Sequence, residues 1–276
     1  MKFITNLFIK KTKPQEISKP KESQKHKKNE EVAVRKGVLG EYKIDIQLSQ
    51  LPKSYRYIND LFIKNPKSIT GYSQIDHVLI TPYTIFVIET KNYQGTIYGQ
   101  KGQKNWLING KFKMISPLVQ NYGHIECLKS ILNKKYHESF ISLVSFTKRC
   151  TLKIDTELRH ISSNELVIYD VELSEYINRK MAVLKLIQTE PLLTDTDIAT
   201  IYHSLLKENI EDIAERQKHN NILSQLKDRV NEKESEHSKC CICNKVVSQK
   251  VKNFCLSNQK FKGEIYCYDH QKHSIS

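Results

Sequence analysis

Apolar positions first take a helical spacing at Val38, Leu39, Ile44, Ile46 and Leu48, with Glu41 on the first turns. Leu51-Pro52 closes that helix, because a proline disfavours helical backbone in the residue before it. From Tyr55 to Phe62 polar residues alternate with apolar or aromatic ones, the period of a strand. Two more runs, Gln74 to Ile80 and Thr84 to Lys91, flank the turn Thr81-Pro82-Tyr83 and predict a β-hairpin. Gly95 to Tyr98 predicts another strand, and Trp106 to Phe112 a hairpin with Asn109-Gly110 at its turn. Helical spacing returns between Pro117 and Leu132, through Leu118, Tyr122, Ile125, Leu128 and Ile131. Phe140 to Phe146 and Leu166 to Tyr169 are strand-type runs. Glu172 to about Gln188 and Asp195 to about Arg229 predict two helices, the second capped by Thr194 or Asp195. This order predicts an α/β core followed by a helical extension.

Length and composition add bounds. The 276 residues are 39% hydrophobic and 27% charged, enough for one or two globular domains. No apolar run is long enough to span a bilayer, and Phe3 to Ile9 is too short for a signal-peptide core and is broken by Asn6. The expectation is a cytoplasmic protein with no membrane partner. The net charge of +14 is unevenly placed. Residues 1–36 carry a net +7 and residues 239–276 a net +5, which leaves +2 for the 202 residues between. Basic ends of this kind attract polyanions such as nucleic acids. The Lys-rich stretch 10–31, punctuated by Pro14 and Pro20, has no apolar periodicity, so residues 1–36 read as a disordered basic arm.

The hairpin carries the candidate chemistry. Strand side chains alternate between faces, so Glu89 and Lys91 share one face of the second strand, and Gln74 and Asp76 one face of the first. The hairpin can then bring Asp76 and Glu89 together. Two converging carboxylates repel unless a cation lies between them, and Mg2+ suits such oxygen ligands. A metal there polarises a phosphoryl oxygen and lowers the pKa of a bound water, and a neighbouring lysine can orient that water. Val87-Ile88-Glu89-Thr90-Lys91 sets its charges in an otherwise apolar strand, and buried charges need partners or a metal.

Several segments in order resemble the nuclease-related domain, or NERD, family. They are Lys36-Gly37-Val38-Leu39-Gly40-Glu41, Leu51-Pro52, Gln74-Ile75-Asp76-His77, Ile85-Phe86-Val87-Ile88-Glu89-Thr90-Lys91-Asn92, Gly95 and Pro117-Leu118-Val119-Gln120-Asn121. The family is similar to the PD-(D/E)XK nucleases. The resemblance implies a restriction-endonuclease-like mixed sheet flanked by helices over residues 37–170, with a helical extension over 171–238. It implies a nuclease acting on nucleic acid, DNA in the first instance. Asp76 and Glu89 would bind Mg2+ (or Mn2+), with the Thr90 carbonyl as a third ligand, and Lys91 would act on the attacking water. Glu41 matches an upstream acid that assists the metal, and Gln120 a glutamine that approaches from the following helix. Gln74 supports the ligands from behind. Ile75 stands where a proline usually precedes the first Asp. His77 and His124 are expected to be structural. Asn209-Ile210-Glu211-Asp212 and Arg216…His219 resemble an extension seen after some members, with no chemistry attached to it. The competing reading is a nucleic-acid-binding accessory that does not cut.

Five of the seven cysteines fall in the last 37 residues. Cys240-x2-Cys243 and Cys267-x2-His270 form two knuckles, a Cys3His set suited to tetrahedral Zn2+. A segment of this size, residues 239–276, has too small a core to fold alone, so a structural zinc would supply folding energy. Cys241 competes with Cys240 for the first knuckle, and the x2 spacing favours Cys240. Cys255 is an alternative ligand, although Phe254-Cys255 reads as the packed centre of the module.

Overall fold

The computed structural model describes residues 35, 37–236 and 239–273. Except for Arg35, the expected basic arm lies outside the described residues. Helix α1 covers 37–49 and ends two residues before Leu51-Pro52, where expected. Strands β1 (Arg56–Lys64), β2 (Tyr72–Ile80) and β3 (Ile85–Lys91) form an antiparallel meander. The β2–β3 turn is fixed by Thr81, whose Oγ1 accepts from the Thr84 N–H at 3.1 Å. Next come β4 (Gly95–Gly99), β5 (Asn105–Ile108), β6 (Phe112–Ile115) and helix α2 (Pro117–Ile131). After them follow β7 (Phe140–Phe146), β8 (Cys150–Ile154) and β9 (Glu165–Tyr169).

Two mixed sheets result. The larger has the order β1-β2-β3-β7-β9, with β3, β7 and β9 mutually parallel. The buried runs of β3 (Ile85 to Ile88) and of β7, where only Ser142 and Ser145 are polar, are explained by this: both strands lie inside the sheet with helices on each face. On one face α1 and α3 (Leu173–Ile187) pack Ile44, Leu48, Leu173, Ile177 and Met181 against Leu79, Phe86, Ile88 and Leu143. On the other, α2 and α4 (Asp195–Glu208) pack Ile125, Leu128, Ile198, Ile201 and Leu205 against Val78, Ile80, Ile85 and Val87. Helices α3 and α4, in the stretch read as an extension, are thus part of the sheet's cover.

The smaller sheet has the order β6-β5-β4-β8. Its inner face adds Ile97, Trp106 and Met114 to a third core. Its register lines up Lys113, Leu107, Tyr98 and Lys153 across all four strands on the opposite face. Lys113 and Lys153 are exposed there, and the Lys153 ammonium lies 5.5 Å from the Tyr98 ring centroid. The Asn109-Gly110 turn folds back on Gly95, whose φ of 97 and close approach to the Asn109 amide exclude any larger residue.

One expectation is corrected and one strand is added. The helix expected from Asp195 to about Arg229 is two helices, α4 and α5 (Ile213–Glu236), with Thr194 capping the first. It breaks at 209–212 because Asn209 and Ile210 are bonded to β1: the Asn209 side-chain Oδ1 accepts from Phe62 N–H at 3.0 Å, and Ile210 N–H donates to Phe62 O at 2.7 Å. Strand β8 was not expected, since its short polar-rich run reads as loop until the parallel pairing with β4 is known. The C-terminal region holds α6 (Gln249–Ser257) and α7 (Tyr268–His273) around a small core of Cys240, Val247 and Cys267. No helix among the described residues is long and apolar enough to cross a membrane.

Candidate active site

The site forms where the end of β3 meets α2. Ile85 and Val87 face α2 while Phe86 and Ile88 face α1 and α3. The same alternation turns Glu89 and Lys91 toward α2. The apolar run that seats β3 inside the sheet also carries Glu89 to 3% exposure, and a carboxylate so buried needs compensation. Glu89 Oε1 accepts from Lys91 Nζ at 2.6 Å and from Gln120 Nε2 at 2.8 Å. Gln120 Oε1 in turn accepts from Lys91 Nζ at 2.9 Å, which closes a three-residue ring. His124 lies one turn beyond Gln120 on α2, and its Nε2 is 3.4 Å from Glu89 Oε2. That oxygen is buried and has no hydrogen-bond partner.

Asp76 completes the group from β2. Its Oδ2 accepts from the Thr90 N–H at 2.7 Å, so the side chain replaces a ladder bond. Glu41 shares the inward face of α1 with Ile44 and Leu48. Gly40 permits this approach, since a Cβ there would stand 3.3 Å from Thr90 Cγ2 and 3.6 Å from Asn92 Cβ.

The charges are unevenly balanced. Burial, then repulsion by Glu89, pushes the Asp76 carboxyl well above the ordinary carboxylate range, and the Thr90 N–H offsets this only in part. Glu41 is raised by burial and by the charges of Asp60 and Glu89. Burial also opposes ionisation of Glu89, but Lys91 and His124 overcome it and hold that carboxyl below its usual value. Lys91 is raised despite burial, chiefly by Glu89, and stays charged.

All five residues expected at the site, Glu41, Asp76, Glu89, Lys91 and Gln120, meet here. Gln74 instead donates from Nε2 to Asp60 Oδ1 at 2.8 Å. His77 has Nδ1 2.8 Å from Asn59 Oδ1 and its pKa lowered by burial to about 4. His124 stands at the site rather than in a purely structural place; the i, i+4 spacing from Gln120 is the signal that could have shown it. Asp60, the strongest charge acting on Glu41, had no recognisable pattern in the sequence.

Cys240, Cys243, Cys267 and His270 converge as well, with all four ligand atoms within 4.8 Å of one another. Cys243 Sγ and Cys267 Sγ are 3.8 Å apart, and His270 Nδ1 is 3.3 Å from both Cys240 Sγ and Cys267 Sγ. Tetrahedral zinc with Zn–S bonds of about 2.3 Å requires an S···S edge of roughly 3.8 Å, so the cluster is compatible with zinc. Burial raises the Cys240 thiol, but the N–H groups of Cys267, Cys243 and Ile242 and the His270 ring bring it down to about 6, toward the thiolate a metal needs. Cys255 is packed instead: its Sγ accepts from Tyr266 N–H and Gln271 Nε2. Cys241 is exposed and turned to Glu264. Among the described residues, this is the one place where three or more such ligand atoms approach so closely.

The fold and site define a mixed α/β protein with a part-buried cluster of carboxylates and one lysine, followed by a Cys3His cluster. The chain belongs to the nuclease-related domain (NERD) family, which it matches over residues 36–147. It is also similar to an uncharacterized protein of Bacillus anthracis, 31% identical over 188 residues, or 67% of this chain and 82% of that protein. No solved structure matches it significantly.

Proposed function

We propose that this protein is a metal-dependent nuclease of the restriction-endonuclease-like type, hydrolysing phosphodiester bonds of DNA. The observation that carries the reading is Glu89 Oε2, a buried carboxylate oxygen that makes no hydrogen bond and faces the His124 ring Nε2 at 3.4 Å, beside an Asp76 carboxyl destabilised by burial and by Glu89 itself. A cation between them satisfies both. Two carboxylates suffice for Mg2+ or Mn2+, which keeps several waters when bound. Bound there, the metal would serve as Lewis acid for the phosphoryl oxygen and lower the pKa of a water.

The chain's own residues take the remaining roles. Asp76 and Glu89 hold the metal, with the Thr90 carbonyl beside them and Glu41 adding negative charge from α1. The Lys91 ammonium, fixed by Glu89 and Gln120, orients the attacking water and offsets charge on the phosphate. Gln120 fixes Lys91 and Glu89 relative to each other, and His124 faces the open carboxylate oxygen. Cys240, Cys243, Cys267 and His270 would hold Zn2+, which would tie the C-terminal segment together.

Nucleic acid as the partner is supported within the core as well as at its ends. Residues 90–125 hold five lysines and no acidic residue, which the near-neutral charge of the middle of the chain conceals. Lys113 and Lys153 bracket Leu107 and Tyr98 on the open face of the smaller sheet, a pairing of cation and ring suited to phosphate and base. The test is incubation of the full chain with labelled DNA and RNA in Mg2+ and in Mn2+. Wild type should cut, and Asp76→Ala, Glu89→Ala and Lys91→Ala should not, while Lys113→Glu/Lys153→Glu should bind less tightly in Ca2+ without Mg2+ or Mn2+. Equal cutting by wild type and Asp76→Ala would refute the site. Salt-sensitive binding without cutting in any divalent metal would favour the accessory reading.

A further inference from the structure

Two paired strands normally keep their faces for as long as their register holds. In β1 and β2 the register is continuous, from Asn59 with His77 to Leu61 with Ile75, although Asp60 and Asp76 between them are not themselves paired. The faces are not. Ile58 lies in the same core as Leu61 and Ile63, and Ile75 in the same core as Val78 and Ile80. Both strands therefore turn over at Asp60 and Asp76, and Asp60 takes a φ of 50. At the same point β2 leaves β3. Their pairing runs from Ile80 with Ile85 to His77 with Ile88 and stops, although both strands continue. Beyond that point the Asp76 carboxylate accepts from the Thr90 N–H in place of a ladder bond.

This kink has costs that something must offset. Left-handed backbone costs an L-residue conformational energy, though least for Asn and Asp, and a break in a strand ladder leaves backbone groups to be satisfied. Arg216, on α5, meets both. Its Nη1 donates to Asp60 Oδ2 at 2.7 Å and its Nη2 to the Asp60 carbonyl at 3.1 Å. Its Nε donates to Ile210 O at 3.2 Å, and its guanidinium lies 5.0 Å from the Phe62 ring centroid. Gln74 holds the other Asp60 oxygen, and the Tyr72 hydroxyl donates to Glu215 one residue before Arg216.

We propose that Arg216 is a positioning residue of the carboxylate cluster: by gripping Asp60 it holds the kink that parts β2 from β3 and sets Asp76 beside Glu89. The inference rests on the cation-site reading above, for which the buried Glu89 Oε2 that makes no hydrogen bond is an independent sign. It gives the helical extension a role: the start of α5 completes the cluster without touching the substrate. The grip depends on the planar fork of arginine, which reaches the carboxylate and the carbonyl together and which lysine lacks.

The test is Mn2+ affinity of the full chain, read from the free-ion paramagnetic resonance signal in the absence of nucleic acid. Thermal melts on the same samples verify that each variant is folded at the assay temperature. Arg216→Ala should weaken Mn2+ binding at least tenfold and Arg216→Lys at least threefold. Asp60→Asn, which keeps an oxygen for Arg216 and tolerates left-handed backbone, should stay within about threefold of wild type. Asp60→Val, which tolerates neither, should behave like Arg216→Ala. The exposed Arg179→Ala should match wild type. Wild-type affinity in folded Arg216→Ala would overturn the positioning role and leave the cation site standing. If Arg216→Ala does not fold, wild-type affinity in Arg216→Lys overturns it equally. No Mn2+ binding by wild type would remove the cation site itself, and this inference with it.

Discussion

Replacing Lys91 by methionine tests the electrostatics of the cluster most directly. The substitution keeps most of the side-chain volume and removes the ammonium 2.6 Å from Glu89 Oε1. Glu89 is only 3% exposed, so its carboxylate cannot turn to water instead. Removing one member of a buried ion pair costs about 3–5 kcal/mol, because the other charge remains without compensation. At about 2–4 °C per kcal/mol for a chain of this size, the melting midpoint should fall by roughly 6–20 °C. The pH dependence has a definite sign. In the wild type the Glu89 carboxyl is held below its usual value, so its contribution is fully present above the unfolded carboxylate pKa and lost as pH falls through the folded one. In Lys91→Met the main opposing influence is gone and burial raises that carboxyl. The deficit is then largest at neutral pH and shrinks on acidification toward pH 4. The double variant Lys91→Met/Glu89→Gln should recover much of the loss, giving less than the sum of the two single effects. Calorimetry between pH 4 and 8, without divalent metal, measures all of this. A Lys91→Met protein as stable as wild type at pH 7, or strictly additive effects, would refute the account.

Asp76→Asn keeps an acceptor for Thr90 N–H and removes a carboxylate whose pKa is raised in the folded state. The metal-free variant should therefore be more stable than wild type at pH 7 by about 1 kcal/mol, and differential scanning fluorimetry should show it losing the stabilisation that Mg2+ gives the wild type. Lys180 is buried with its ammonium within 2.8 to 3.2 Å of the Ile161, Ser162 and Ser163 carbonyls and Asn164 Oδ1. Lys180→Met should cost about 2–4 kcal/mol in urea unfolding, since bonds to a charged donor are worth roughly 1.5–3 kcal/mol each before desolvation is subtracted. A zinc chelator should melt the α6–α7 region while the two sheets persist, and Cys243→Ser should reproduce this without chelator; hydrogen exchange resolves the two regions.

Much of this was legible in the sequence because it depends on short-range period. The β2–β3 hairpin, the Asn109-Gly110 turn and α2 follow from alternation, turn chemistry and helical spacing, and the pair Glu89 and Lys91 inherits its shared face from the same rule. The rest depends on partners distant in the chain. Strand β8 is defined by β4, some fifty residues earlier. The helix running on from Asp195 breaks because Asn209 and Ile210 are taken by Phe62, which no local propensity announces. Asp60 enters the site through a kink in two strands whose register alone gives no hint of it. The knuckles at Cys240 and Cys267 were visible from spacing, whereas the packed role of Cys255 required its bonds to Tyr266 and Gln271.

The bonds from Asn209 and Ile210 to Phe62 also bear on where the chain can be cut. β1 is the outer strand of the larger sheet, and an outer strand with open N–H and C=O groups is a template for pairing with other molecules. Here the middle of that border, in the apolar run Leu61-Phe62-Ile63, is capped by residues nearly 150 positions downstream. A fragment ending where the family match ends, at residue 147, would bare this border, lose β9 from the opposite border and strip α3 and α4 from both faces. Such a fragment should self-associate. For expression, the smallest soluble unit around the carboxylate cluster is set by edge protection and extends past Ile210.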